Sequence, residues 1–183
     1  MITPALIVID VQKAIDDPVW GRRGQPEMED RIGDLLGAWR ERRLPVVHIR
    51  HDSTDMASPY HPGSSGNEFK PEVAPLPGEP VVDKRTNSAF IGTDLMDVLD
   101  ELQVGQLVVT GVLLENSVEA TVRMAGNLGF DVVIPEDAVA SVDRIDRRGK
   151  HWPAEDVHAL TLALLDREYA RISDTRTVIE TLP

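Results

Sequence analysis

Short apolar runs alternate with amphipathic stretches along the whole chain. The first run, residues 4–10, has no polar alternation and ends on Asp10, a pattern typical of a parallel strand that is buried on both faces. Similar runs predict five further strands, at residues 45–49, 80–84, 106–110, 131–135 and 170–173. The pattern therefore predicts a sheet of six strands.

The stretches between these runs carry apolar residues at helical spacing. One helix is predicted from Pro26, and others from Thr93, after Ser117, from Pro153 and near Val178. Alternation of strands and helices predicts an α/β fold, a three-layer sandwich with a parallel sheet between helices. No linker or repeat interrupts the pattern, so residues 1–183 are expected to form a single domain.

Composition and charge exclude several classes of function. The chain has 19 Lys and Arg against 31 Asp and Glu, a formal charge of −12, which argues against a nucleic-acid partner. It has no cysteine, hence no disulfide and no Cys-based zinc site. No apolar run is long enough for a membrane span, and no secretory signal is recognised, so a cytoplasmic protein is expected. No GxGxxG motif follows the first strand, which makes a nicotinamide enzyme unexpected, and no cofactor is predicted.

Residues 50–79 form the least regular region, and connections of this length are usually functional or interfacial. The region contains His51, Asp52 and His61, which raises the question of a metal site. Their spacing matches no compact ligand motif, so no metal is predicted.

The stretch from Val108 to Gly129 indicates a strand, a tight passage and a helix. Ser117 lies in that passage, at the carboxyl edge of the sheet, where ligands bind in open parallel sheets. Asp10 and Lys84 end two other predicted strands, so all three side chains are expected at one edge. Three such residues can act as a nucleophile, an acid–base partner and a supporting cation. A cap or turn role for Asp10 and Ser117 and a surface role for Lys84 are the structural alternatives.

The sequence resembles the isochorismatase-like cysteine hydrolases over nearly its whole length. The resemblance rests on IVIDVQ, FKPEVAPLPGEPVVDK, NSAFIGTDL, VVTGV and ENSVEATVRMAGNLGFDVVIPEDA, taken together. It implies a six-stranded parallel sheet in Rossmann-like order with helices on both faces. It also implies an Asp–Lys–Cys triad, of which Asp10 and Lys84 supply the first two members. The amides of Leu113 and Ser117 would form an oxyanion hole, often with a cis peptide before Leu113.

Ser117 stands where similar proteins carry the nucleophilic cysteine, and Leu114 stands where a threonine is common. An alcohol ionises far less readily than a thiol, so the change affects the mechanism directly. We considered an engineered Cys-to-Ser change, a natural serine variant, and an isochorismatase-type reaction that needs no nucleophile. The first is favoured, because the surrounding signature is intact.

The predicted activity is hydrolysis of a C–N bond in a small amide, ureide or imide. Gln12, Trp20 and Phe90 are the predicted pocket wall, and the resemblance implies a homodimer or homotetramer. An isochorismatase-type vinyl-ether hydrolase would use Asp10 as general acid and would need an anion site, for which Arg22 and Arg23 are the candidates. A binding protein without catalysis is the third hypothesis.

Overall fold

The computed structural model describes residues 3–183, which are built around a parallel sheet. The strands are β1 (Thr3–Ile9), β2 (Val46–His51), β3 (Val81–Lys84), β4 (Val104–Val112), β5 (Asp131–Pro135), β6 (Val139–Ala140), β7 (Arg144–Ile145), β8 (His151–Trp152) and β9 (Arg171–Ser173). In the parallel sheet they run in the order β3-β2-β1-β4-β5-β9, with β6 beside β4, and β7 and β8 form a separate two-stranded sheet. The predicted parallel sheet and its Rossmann-like order are confirmed.

Five helices cover the two faces of the sheet. They are α1 (Met28–Glu41), α2 (Leu95–Glu101), α3 (Glu119–Asn127), α4 (Ala154–Leu165) and α5 (Thr175–Glu180). Apolar residues of α1 and α5 belong to one buried cluster, and those of α2, α3 and α4 belong to a second. Among residues 3–183, no helix has the length and apolar character that crossing a bilayer requires.

Strand β1 lies in the middle of the sheet and explains the three-layer arrangement. Leu6 and Val8 pack in the cluster of α1 and α5, whereas Ile7 and Ile9 pack in the opposite cluster. Successive side chains of a strand point to opposite faces, so a continuous apolar run is what a strand between two helical layers needs. All four side chains are fully buried.

Three local features differ from the sequence-based expectations. Strand β6 and the hairpin of β7 and β8 contain two residues per strand, too few for a periodic pattern. Helix α2 begins at Leu95 with Asp94 at its N-cap position, two residues after the predicted start at Thr93. The Thr93 hydroxyl donates to the carbonyl of Ala89 at 2.5 Å and accepts from the amide of Leu95 at 3.4 Å. Helix α3 begins only at Glu119, because a π-helical turn at Leu114–Val118 precedes it.

Gly111 marks the point where β4 approaches β1 most closely. Its φ of +111° lies outside the range of ordinary L residues, and a Cβ there would lie 2.1 Å from the carbonyl oxygen of Ile9. Gly111→Ala is expected to lower the free energy of unfolding by about 2–3 kcal/mol, measured by urea denaturation. Gly37→Ala is the control: it lies inside α1, has no atom within 4 Å of the added Cβ, and is expected to raise stability slightly. Equal effects at the two positions would contradict this account.

Candidate active site

Three polar side chains meet at the carboxyl edge of the sheet. Asp10 directly follows β1, Lys84 is the last residue of β3, and Ser117 lies in the π-helical turn after β4. Strand β1 lies between β2 and β4, and β3 flanks β2, so Lys84 reaches across the end of β2. The convergence follows from the parallel sheet, in which the carboxyl ends of neighbouring strands share one edge.

Lys84 connects the other two side chains. Its Nζ donates to Oδ2 of Asp10 at 2.7 Å and to Oγ of Ser117 at 3.2 Å. A third hydrogen bond reaches the carbonyl of Thr86 at 3.1 Å. The Lys84 side chain is fully buried and the Asp10 side chain is 6% exposed, so this ion pair is shielded from water. Shielding strengthens its electrostatic interactions relative to those of a surface pair.

Burial raises the pKa of the Asp10 carboxyl above its ordinary value of 3.8. The positive charge of Lys84 and the hydrogen bonds from Lys84 and Ser117 act in the opposite direction without cancelling the effect of burial. Oδ1 of Asp10 is buried and has no hydrogen-bond partner among the described residues. A carboxylate with a raised pKa and a free oxygen is suited to accept a proton from a nearby nucleophile.

The backbone around Ser117 has an unusual geometry. The Val112–Leu113 peptide is cis, as the resemblance implied. The amides of Asn116 and Val118 both donate to the carbonyl of Leu113, which closes the turn. The amide of Leu113 itself has no acceptor among residues 3–183. It is therefore free to donate to a bound ligand.

A cavity of about 200 Å³ opens onto Asp10 and Ser117. Its wall consists of three aromatic side chains including an imidazole, several polar side chains and three apolar residues. The lining residues besides Asp10 and Ser117 are Ile15, Trp20, His51, Ser53, Asp55, Ser58, Tyr60, Asn87, Val112, Leu113 and Asn116. The structure thus places Trp20 and Leu113 at the cavity together with Asp10 and Ser117.

The structure does not bring Gln12 and Phe90 to the cavity wall. The Gln12 side chain is fully buried, accepts from the amide of His51 at 2.8 Å and donates to the carbonyls of His51 and Asn67. It holds the irregular segment after β2 against the end of β1. Phe90 stacks on Phe130 with ring centroids 6.1 Å apart and packs against the apolar cluster.

Two wall residues that sequence reasoning did not assign to the pocket contact the Asp10–Lys84 pair. The Tyr60 hydroxyl donates to the carbonyl of Asp10 at 3.2 Å. Nδ1 of His51 lies 3.4 Å from Nζ of Lys84, and burial and the charge of Lys84 lower the pKa of the imidazole below 6.5. Both residues belong to region 50–79, where the length of the connection was the signal of function and His51 was considered only as a metal ligand.

Arg22 and Arg23, the candidate anion-binding residues, lie outside the cavity wall in ion pairs. Arg22 donates to Asp143 and Glu155, and Arg23 donates to Glu29 with N–O distances of 2.7 and 3.1 Å. In the part of the chain that the structure describes, no three His, Asp or Glu side chains gather as metal ligands would.

Comparison with known proteins identifies the family of the chain. A model of the isochorismatase domain matches residues 4–175. The uncharacterised isochorismatase family protein YrdC of Bacillus subtilis is 38% identical over 175 residues, covering 96% of this chain and 94% of the relative. Streptothricin hydrolase of Streptomyces noursei is 40% identical over 144 residues, covering 76% of this chain and 50% of the relative.

A solved structure extends the match to three dimensions. The crystal structure of a proposed hydrolase of the isochorismatase family from Chromobacterium violaceum superimposes with a TM-score of 0.94 at 51% identity. The match covers 97% of this chain and 92% of that one. The family model spans most of the chain and the fold agrees throughout. This chain therefore belongs to the isochorismatase family of hydrolases.

Proposed function

We propose that the protein hydrolyses a C–N bond of a small amide, ureide or imide, with residue 117 as the nucleophile position. The observation that carries the proposal is the Lys84 ammonium, which donates to Asp10 and Ser117 at the floor of a cavity. This set supplies a base, a nucleophile position and a fixed positive charge. A relative named streptothricin hydrolase, 40% identical over the shared part, supports hydrolysis of a small molecule.

In the proposed reaction, residue 117 attacks the substrate carbonyl carbon while its proton passes to Asp10. The negative charge that develops on the carbonyl oxygen is stabilised by the amides of Leu113 and Ser117. Asp10 then returns the proton to the leaving nitrogen as the C–N bond breaks. Water attacks the acyl intermediate, transfers a proton through Asp10 and releases the acid and the free nucleophile. Lys84 stays positively charged and holds the carboxylate in place throughout.

Hydrolysis of a vinyl ether is the second candidate reaction. The raised pKa of Asp10 suits a general acid as well as a base, which is the observation in its favour. A substrate with several carboxylates needs cations in the wall, however, and no Lys or Arg of the described chain lines the cavity. Arg22 and Arg23 are held by carboxylates of the protein. A neutral amide fits this wall better than a polyanion.

The test compares Ser117, Ser117→Cys and Ser117→Ala forms on a panel of small amides, ureides and isochorismate. Ammonia and acid release are measured, and intact mass is recorded for a covalent adduct. Turnover of an amide by the cysteine form, with an acyl adduct on quenching, is expected, since a thiol is the better nucleophile in this arrangement. The alanine form is expected to give neither turnover nor adduct.

Other outcomes decide against the proposal. Isochorismate cleavage that survives Ser117→Ala would support the vinyl-ether reaction, which needs no nucleophile. Ligand binding without turnover by any of the three forms would support the binding-protein hypothesis. Equal amide turnover by the serine and alanine forms would exclude residue 117 as the nucleophile.

A further inference from the structure

The cavity above Asp10 and Ser117 contains no positive side chain that is free to bind a ligand. Among residues 3–183, its lining includes no Lys or Arg. Lys84 is fully buried and is not a lining residue, and its ammonium donates to Asp10, Ser117 and the carbonyl of Thr86. His51 lines the wall, but burial and the Lys84 charge lower its pKa, so the ring is neutral near pH 7.

Three cations outside the cavity wall, Arg22, Arg23 and Lys70, are bound by carboxylates of the protein. Arg22 and Arg23 follow Trp20 in the chain, and they pair with Asp143 and Glu155 and with Glu29, respectively. Lys70 pairs with Asp16 and Glu29 at 2.8 and 2.7 Å. A negatively charged substrate would have to break such pairs to gain a partner.

Among residues 3–183, Asp55 is a carboxylate of the cavity wall that has no cationic partner. It lies in the wall beside Ser53 and Ser58, and one of its oxygens accepts from the amide of Ala57 at 2.9 Å. No ion pair to Asp55 is formed by any Lys, Arg or His of residues 3–183. Because Asp10 is neutralised by Lys84, the carboxylate of Asp55 gives the wall its net negative charge.

Aromatic rings occupy the same wall. Tyr60 packs edge-to-face on Trp20 at 5.8 Å and on His51 at 5.6 Å between ring centroids. The Trp20 Nε1 donates to the carbonyl of Ala14 at 2.8 Å, and the Tyr60 hydroxyl donates to the carbonyl of Asp10. Their polar atoms are thus hydrogen-bonded within the protein, so these rings offer a ligand aromatic contacts rather than hydrogen bonds. Aromatic rings next to a carboxylate favour a cation over an anion or a neutral alkyl group.

We propose that the substrate carries a cationic group, an ammonium or amidinium, that binds at Asp55 beside Trp20 and Tyr60 while its C–N bond lies at Ser117. This inference rests on the proposed function, since it names the substrate class of the same site. The carboxylate supplies the ion pair, the rings supply the cation–π contact, and the neutral Asp10–Lys84 pair leaves the reacting end uncharged.

The probes are three amides of similar length: γ-aminobutyramide with a terminal ammonium, valeramide with a methyl group in its place, and succinamate with a carboxylate. Binding to the Ser117 protein is measured by calorimetry, and turnover is measured with Ser117→Cys. The cationic amide is expected to bind about fivefold to tenfold more tightly than valeramide, and succinamate least. Asp55→Asn is expected to remove the preference, so that the cationic amide and valeramide bind with similar affinity.

Asp97→Asn is the matched control, because it removes the same charge from an exposed position in α2, outside the cavity wall. Equal affinity for the three probes, no binding of any, or a preference that survives Asp55→Asn would overturn the inference. A preference that depends on Asp55 but comes with no turnover would support the inference and count against C–N hydrolysis. Turnover of the amides without a preference for the cationic one would support C–N hydrolysis and count against the inference.

Discussion

Replacing Asp10 with asparagine in the Ser117→Cys form is expected to lower kcat/KM for a small amide about 10²–10⁴-fold. Asparagine keeps the shape of the side chain and has no basic oxygen that can take the nucleophile's proton. The loss is expected in kcat, because the other residues of the cavity wall are unchanged and asparagine has nearly the same shape. Steady-state kinetics on the amide that the Ser117→Cys form turns over measures the effect.

Asp83→Asn is the control for this change. Asp83 precedes Lys84 in β3, but its side chain points away from the cavity and pairs with Arg50 at 2.8 Å. Removing its carboxylate is expected to leave kcat/KM within about twofold, since surface pairs contribute little. An Asp10→Asn variant that matched the control would exclude Asp10 as the base.

The pH dependence of kcat/KM distinguishes a base from a general acid at Asp10. As a base, Asp10 must be ionised, so kcat/KM is expected to rise with pH through a midpoint above 3.8, because burial raises the pKa. As the general acid of a vinyl-ether reaction, it must be protonated, so the rate would fall through the same range. Asp10→Asn is expected to abolish the acid limb along with the rate.

The parts of the site that lie at strand ends could be predicted from the sequence. Asp10 and Lys84 each close a run of apolar residues, and a parallel sheet brings such ends to one edge. Ser117 follows the next strand after Lys84, so its place at that edge also followed from the alternation of strands and helices. The resemblance to a family added the expected roles, which strand order alone does not supply.

The wall of the cavity could not be predicted in the same way. His51 ends β2, and Asp55 and Tyr60 belong to the irregular segment after it, whose path is set by individual hydrogen bonds rather than by a repeating pattern. Gln12 illustrates the difficulty: it follows a strand end, as Asp10 does, yet its amide group binds the backbone of His51 and Asn67. A polar residue near an edge indicates a site only when its own partners leave it free.

Replacing Lys84 with methionine is expected to lower the free energy of unfolding by about 3–5 kcal/mol near pH 7, in addition to abolishing turnover. The substitution keeps an unbranched side chain in a fully buried position but leaves the Asp10 carboxylate without its counter-charge. The carbonyl of Thr86 also loses its donor. Urea denaturation followed by circular dichroism measures the change.

The dependence of this loss on pH separates charge from packing. Without Lys84, the pKa of Asp10 is raised further, so the folded variant binds a proton that the unfolded chain, with an ordinary value of 3.8, does not hold near pH 5. Its free energy of unfolding should therefore rise as the pH falls from about 7 to about 5. The double variant Asp10→Asn/Lys84→Met carries neither charge of this buried pair and should recover part of the stability near pH 7 without recovering activity. A loss that is equal at both pH values and persists in the double variant would mean that Lys84 stabilises the fold by packing, and that the buried ion pair is not what holds the site together.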